Sequence, residues 1–178
     1  MSTTYLRPLL TPTDLASIEV SQYVRERAHV TAGAVGFGWI GTPDAPSTYQ
    51  QLRAAYQEST TSGEPLPISN LACEPSIYAR AEDNVAFRFW HDVHHVTFGL
   101  SFSLEDELEL ALWHLDEVQA AGFAPGSTPY ALFQADLVGQ LLLNALAHRF
   151  PFDQQRFSTT CAEIGLHRGL LEEIRRVT

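Results

Sequence analysis

Asn84-Val-Ala-Phe-Arg-Phe-Trp-His-Asp-Val-His-His-Val-Thr-Phe-Gly99 decides how this chain is read. Three histidines and an aspartate fall within His91–His95, inside an otherwise apolar segment. Residues at i, i+3, i+4 and i+7 share one face of a helix. That spacing predicts a stripe of Asn84, Arg88, His91 and His95, with Asp92 at its edge. Phe89, Trp90, Val93 and Phe98 take the other faces. Holding ionisable groups against a core costs free energy unless something partners them. A metal or a catalytic site is the usual partner.

The stretch sits between two helix signals. Pro75 suits a first helical position, and Gly99 suits a stop, so a helix over 75–98 is expected. Ser103 then reads as an N-cap with Asp106 at N3, opening a helix that ends at Gly122. Its apolar face is Leu104, Leu108, Ala111, Leu115 and Val118, with Glu105, Glu109 and Asp116 opposite. Glu107 and His114, seven residues apart, share a line at the border of that face. A Pro-rich turn, Ala124–Pro129, leads to a helix over 130–148 that is apolar almost all round and is expected to be central. Its polar exceptions are Asp136, Gln140, Asn144 and His148. Phe150-Pro-Phe breaks the pattern, and Phe157–Val177 gives a last amphipathic helix.

Upstream, Leu15–Ala32 has helical periodicity, capped by Thr13 or Asp14. Its Glu26-x-x-His29 reads as a surface pair. Residues 33–46 form a glycine-rich loop, lid or short strand. With no βαβ pattern around Gly33, Gly36 and Gly38, a dinucleotide fold is not expected. Ser47 opens a short helix to Glu58, and Thr60–Asn70, with Pro65 and Pro67, reads as an extended surface loop. The expected fold is all-α: a single domain over 1–178, a bundle of about six helices. The helices over 75–98 and 103–121 should pack antiparallel, with 130–148 against both.

The chain has a formal net charge of −10, so a broad nucleic-acid or anionic-membrane surface is not expected. Its basic residues are all arginine, eleven of them, and the absence of lysine excludes Schiff-base and P-loop lysine chemistry. No G-x-S-x-G is present. Cys73 and Cys161 are isolated and read as buried free thiols in a reducing compartment. The first ten residues carry no signal-peptide pattern, and no apolar run is long enough to span a membrane. A cytoplasmic protein is expected, and homo-oligomerisation stays open.

Two ligand sets share His91. In one, His91 and His95, a turn apart, converge on a divalent ion (Zn, Mn, Fe or Co), and Glu107 or His114 on the next helix completes the set. The spelling H-D-x-x-H also matches the zincin H-E-x-x-H pattern with a shorter acid, which places a peptidase lower. The other set rests on a resemblance. His91-Asp92 within an all-helical chain, with Asp136 on a later helix, resembles the HD phosphohydrolase superfamily over residues 75–148. That family's first His has no nearby match; His29 lies far upstream, and His95 is the substitute. The resemblance implies His91, Asp92 and Asp136 as ligands and hydrolysis of a phosphoester or phosphoanhydride by metal-activated water. Across the two sets, Asp92 is a catalytic candidate, Glu107, His114 and Asp136 are candidate ligands or bases, and Arg88 is the candidate contact to a small phosphorylated substrate. The non-enzymatic alternative is an acidic helical binding or inhibitor protein, with a structural metal or none.

Overall fold

The computed structural model describes residues 9–176. Helix α1 (Pro12–Val35) opens the fold, followed by strand β1 (Trp39–Thr42), helix α2 (Tyr49–Ser62) and strand β2 (Leu66–Ser69). Helices α3 (Ala81–Phe98) and α4 (Leu104–Ala120) carry the histidine-rich region. Helix α5 (Thr128–Gln134) runs through a π-helical turn (Ala135–Gly139) into α6 (Gln140–Ala147), and α7 (Gln154–Ile164) and α8 (Leu166–Arg175) end the described chain. Among the described residues the fold is all-α apart from a two-stranded sheet.

The core is built around α3, not around 130–148. Phe89, Trp90 and Val93 are almost entirely enclosed, and α1 lays Ala16, Val20, Val24 and Ala28 into the same cluster. In the 130–148 segment, Leu132, Phe133 and Leu143 are buried, but Leu146 is 63% exposed and Asn144 and His148 face solvent. Helix α6 lies at the edge of the core, which is why its second half is apolar without being enclosed.

Several boundaries move for local reasons. Thr11 caps α1, not Thr13 or Asp14: its hydroxyl accepts from the Asp14 N–H while the Asp14 carboxylate accepts from the Thr11 N–H. Pro75 does not open a helix; residues 74–80 form bends, and α3 starts at Ala81 with Glu82 and Asp83 in its first turn. The fully buried Asp83 carboxylate lies 2.7 Å from Arg25 of α1 and 3.1 Å from Arg80. That pairing fixes the start of α3 against α1. Gly99 ends α3 as expected, with the left-handed φ of 74° that glycine adopts freely. The last expected helix is two helices, because Gly165 takes φ 90° and ψ 148° between α7 and α8.

The expected surface loop over 60–70 contains β2. It pairs parallel with β1, Trp39 opposite Leu66 and Gly41 opposite Ile68. Leu66 and Ile68 have no exposed surface, which stabilises the fold by about 1.5–3 kcal/mol for each side chain. Pro67 fits because both strands are edge strands. The unit β1–α2–β2 is thus a small βαβ crossover that the pattern did not foresee. Its glycines precede β1 instead of following it, so no strand–glycine-loop–helix cradle forms.

Candidate metal centre

The turn from Gly99 to Ser103 sends α4 back along α3. Asp106 anchors that turn: its carboxylate accepts from the Ser101 N–H and hydroxyl, and its own backbone N–H donates to the Ser103 hydroxyl oxygen. His91 meets His114, and His95 meets Glu107. These pairings run in opposite chain directions, so the two helices are antiparallel, as expected from the short connection.

His91, His95 and Glu107 converge: one donor atom from each lies within 4.8 Å of the others. His95 Nε2 is 2.9 Å from His91 Nε2 and 3.5 Å from Glu107 Oε1. His91 Nε2 is 3.3 Å from Glu107 Oε2. The fully buried His95 sets its own tautomer: its Nδ1–H donates to the Leu100 carbonyl at 3.1 Å. A carbonyl only accepts, so Nδ1 carries a proton and Nε2 is the nitrogen turned toward the other two groups. A backbone partner behind the ligating nitrogen is how metal-binding histidines are oriented.

His91 has two proton positions. With the proton on Nε2 it donates to His95 Nε2 or Glu107, and the cluster is satisfied without an ion. With the proton on Nδ1 it donates to His114 Nε2, 3.1 Å away. Two Nε2 lone pairs and a carboxylate then face one another, an arrangement that calls for a cation. His114 thus stands behind His91 and not among the convergent donors. Its own Nδ1 is buried with no hydrogen-bond partner among the described residues.

Burial dominates the titration of the imidazoles. It lowers the pKa of His91, against hydrogen bonding to Glu107, and lowers that of His114 well below the usual range, with neighbouring His91 adding to the effect. Both are neutral at pH 7 and able to act as lone-pair donors. For Glu107 burial acts upward, but its close contacts with the His91 and His95 rings outweigh it and hold the carboxyl at about 2.

The remaining sequence candidates lie around this trio. Asp92 is half-buried, outside the convergent set and outside the cleft wall described next. Burial pushes its carboxyl up to about 7. Glu26 and His29 are exposed, as expected, with the His29 ring 5.3 Å from that of Trp39. Asp136 is also outside the trio. It accepts from the Gln140 side-chain N–H at 2.7 Å and from the Tyr78 hydroxyl at 3.3 Å.

A cleft of about 520 Å³ opens beside the trio, and Glu107 and Asp136 both line it, with Asn84, Arg88 and Gln140. Of the polar stripe of 130–148, Asp136, Gln140 and Asn144 line this cleft and His148 does not. Arg88 donates from Nη1 to the carbonyls of Ser69 and Leu71, at 2.9 and 2.8 Å, so part of its guanidinium ties down the loop before α3. Sequence reasoning missed Tyr78 and the Leu100 carbonyl. Neither carries a sequence signal, because each acts only through what folding places beside it.

Comparison with protein-family models, with curated proteins and with solved structures finds no match in any of the three.

Proposed function

We propose that this protein is a divalent-metal-dependent hydrolase whose ion is held by His91, His95 and Glu107. The observation that carries the reading is the meeting of two imidazoles and a carboxylate at the edge of an open cleft. Two histidines and one carboxylate leave coordination positions free on a divalent ion. The bound ion would supply a water acidified toward a pKa of about 7. The protein's own contributions are orientation and access. Leu100 and His114 fix the two imidazoles, and Glu107, 23% exposed, turns the site toward the cleft. Phe87, Phe102 and Leu137 supply the apolar part of the cleft wall. A phosphate ester is the proposed substrate, with the uncommitted N–H groups of Arg88 as its contact in the cleft wall.

A structural ion that staples α3 to α4 in a non-enzymatic binding protein is the second reading, and the complete burial of His95 favours it. Elemental analysis of untagged protein beside His91→Ala and His95→Ala, each checked for native circular dichroism, tests the site. Near-stoichiometric metal in the wild type, lost in both variants, is expected, together with turnover of phosphoesters by the loaded wild type. Metal content and activity that survive His91→Ala would overturn the assignment. Tightly held, inexchangeable metal without turnover would favour the staple.

A further inference from the structure

Asp136 is placed in the cleft but has no part in holding the ion, and three observations give it a role. It lines the same cleft as Glu107, so a molecule whose reacting bond lies at the trio would also meet Asp136. Both of its oxygens are oriented, Oδ1 by Gln140 at 2.7 Å and Oδ2 by Tyr78 at 3.3 Å. It also sits in the π-helical turn Ala135–Gly139, a local distortion that helices carry disproportionately at functional sites. No arginine or histidine pairs with it among the ion pairs of the described residues.

We propose that Asp136 is the general acid of the hydrolytic reaction, protonating the leaving-group oxygen from the wall of the cleft it shares with Glu107. This rests on the hydrolase reading above. In the step, a water oxygen bonds to phosphorus, giving up one proton to bulk solvent, as the phosphorus–oxygen bond to the leaving group breaks. The proton on the Asp136 carboxyl passes to the departing oxygen, giving a neutral alcohol. The carboxylate left behind recovers a proton from solvent through the open cleft. Burial holds the group at about 6, in spite of the Tyr78 and Gln140 hydrogen bonds and the Arg88 charge across the cleft lining, all of which act downward, so a useful fraction is protonated near neutral pH.

The test compares wild type and Asp136→Asn, both loaded with the metal found in the native protein, on phenyl phosphate and on 4-nitrophenyl phosphate. Phenoxide is a poor leaving group that needs the proton; 4-nitrophenoxide leaves readily without it. Asparagine keeps the size and the acceptor oxygen, and metal content with circular dichroism checks the fold. The expected result is a loss of about 100-fold or more on phenyl phosphate and little change on the nitrophenyl ester. The wild-type rate on phenyl phosphate should also fall as pH rises through about 6, a limb that the variant lacks. Equal losses on both esters, or none on either, would overturn the proposal with the hydrolase reading intact. Metal lost from Asp136→Asn would make Asp136 a ligand and overturn it too. No turnover of either ester by metal-loaded wild type would remove the hydrolase reading and the general acid together.

Discussion

Asp83→Asn tests whether the helix that carries the histidines is locked to α1 by a sealed charge. The carboxylate is fully buried, with Arg25 at 2.7 Å and Arg80 at 3.1 Å. Removing one partner of a buried pair costs about 3–5 kcal/mol, chiefly because the other charge is stranded. Here the arginines are not stranded: their side chains are 33% and 59% exposed and can turn to water. Asparagine also keeps an acceptor oxygen, while the favourable charge in the first turn of α3 is lost, worth about 0.3–1 kcal/mol. The net expectation is a loss of about 2 kcal/mol, below the range for a stranded partner. In a chain of this size that lowers the melting temperature by about 4–8 °C. Thermal unfolding followed by circular dichroism at neutral pH reads the shift, and urea unfolding should give a lower midpoint at unchanged slope. Because the pair is enclosed, added salt should leave the difference in place. A melting temperature equal to that of the wild type, or a difference that salt erases, would show that Asp83 is hydrated and that α3 is not anchored in this way.

Asp92→Asn should behave in the opposite sense, and with a pH signature. Its folded pKa is raised from 3.8 to about 7, so ionising it opposes folding. The penalty is absent below the unfolded value, grows as pH rises from 3.8, and is complete above about 7. The variant should therefore melt higher than wild type in mildly alkaline buffer, with the gap closing on acidification; a gap independent of pH would refute the assigned burial. Gly169→Ala tests the α7–α8 contact. A Cβ there would lie 2.5 Å from Cys161 Sγ and 2.8 Å from its Cα, and the second of these is backbone that cannot step aside. A loss of about 1–3 kcal/mol in urea unfolding is expected, and a neutral substitution would mean that the two helices are further apart.

The candidate site was legible in part. The i, i+4 spacing of His91 and His95 placed two imidazoles on one helix face, and Gly99 with Ser103 required α4 to return beside it, so Glu107 and His114 could be anticipated as neighbours. Their division of labour could not. Glu107 joins the convergent set while His114 stands behind His91, and that depends on how the two helices are offset, which no spacing within either helix records. Asp136 was visible as a polar exception in an apolar run, but its separation from the histidines depends on the packing of 128–147 against the rest. The strand at Leu66–Ser69 was hidden for a different reason. Two prolines in five residues read as loop, and only pairing with Trp39–Thr42 gives Leu66 and Ile68 an enclosed face.

Sequence alone determined what local rules control: the all-helical class, the caps at Ser103 and Gly99, the shared face of His91 and His95, and the isolation of Cys73 and Cys161, both of which are buried free thiols. It also showed that no run spans a membrane, and no helix of the described residues is long and apolar enough to do so. These follow from hydrophobic period, glycine and proline geometry, and side-chain chemistry within a turn or two. Tertiary structure alone decided that α3 and not 130–148 is the centre, that Arg88 is partly spent on the carbonyls of Ser69 and Leu71, and that Glu107 and Asp136 share one cleft. Each of those depends on groups far apart in the chain meeting at a distance of a few ångströms, which is fixed by the packing of whole elements against a common core.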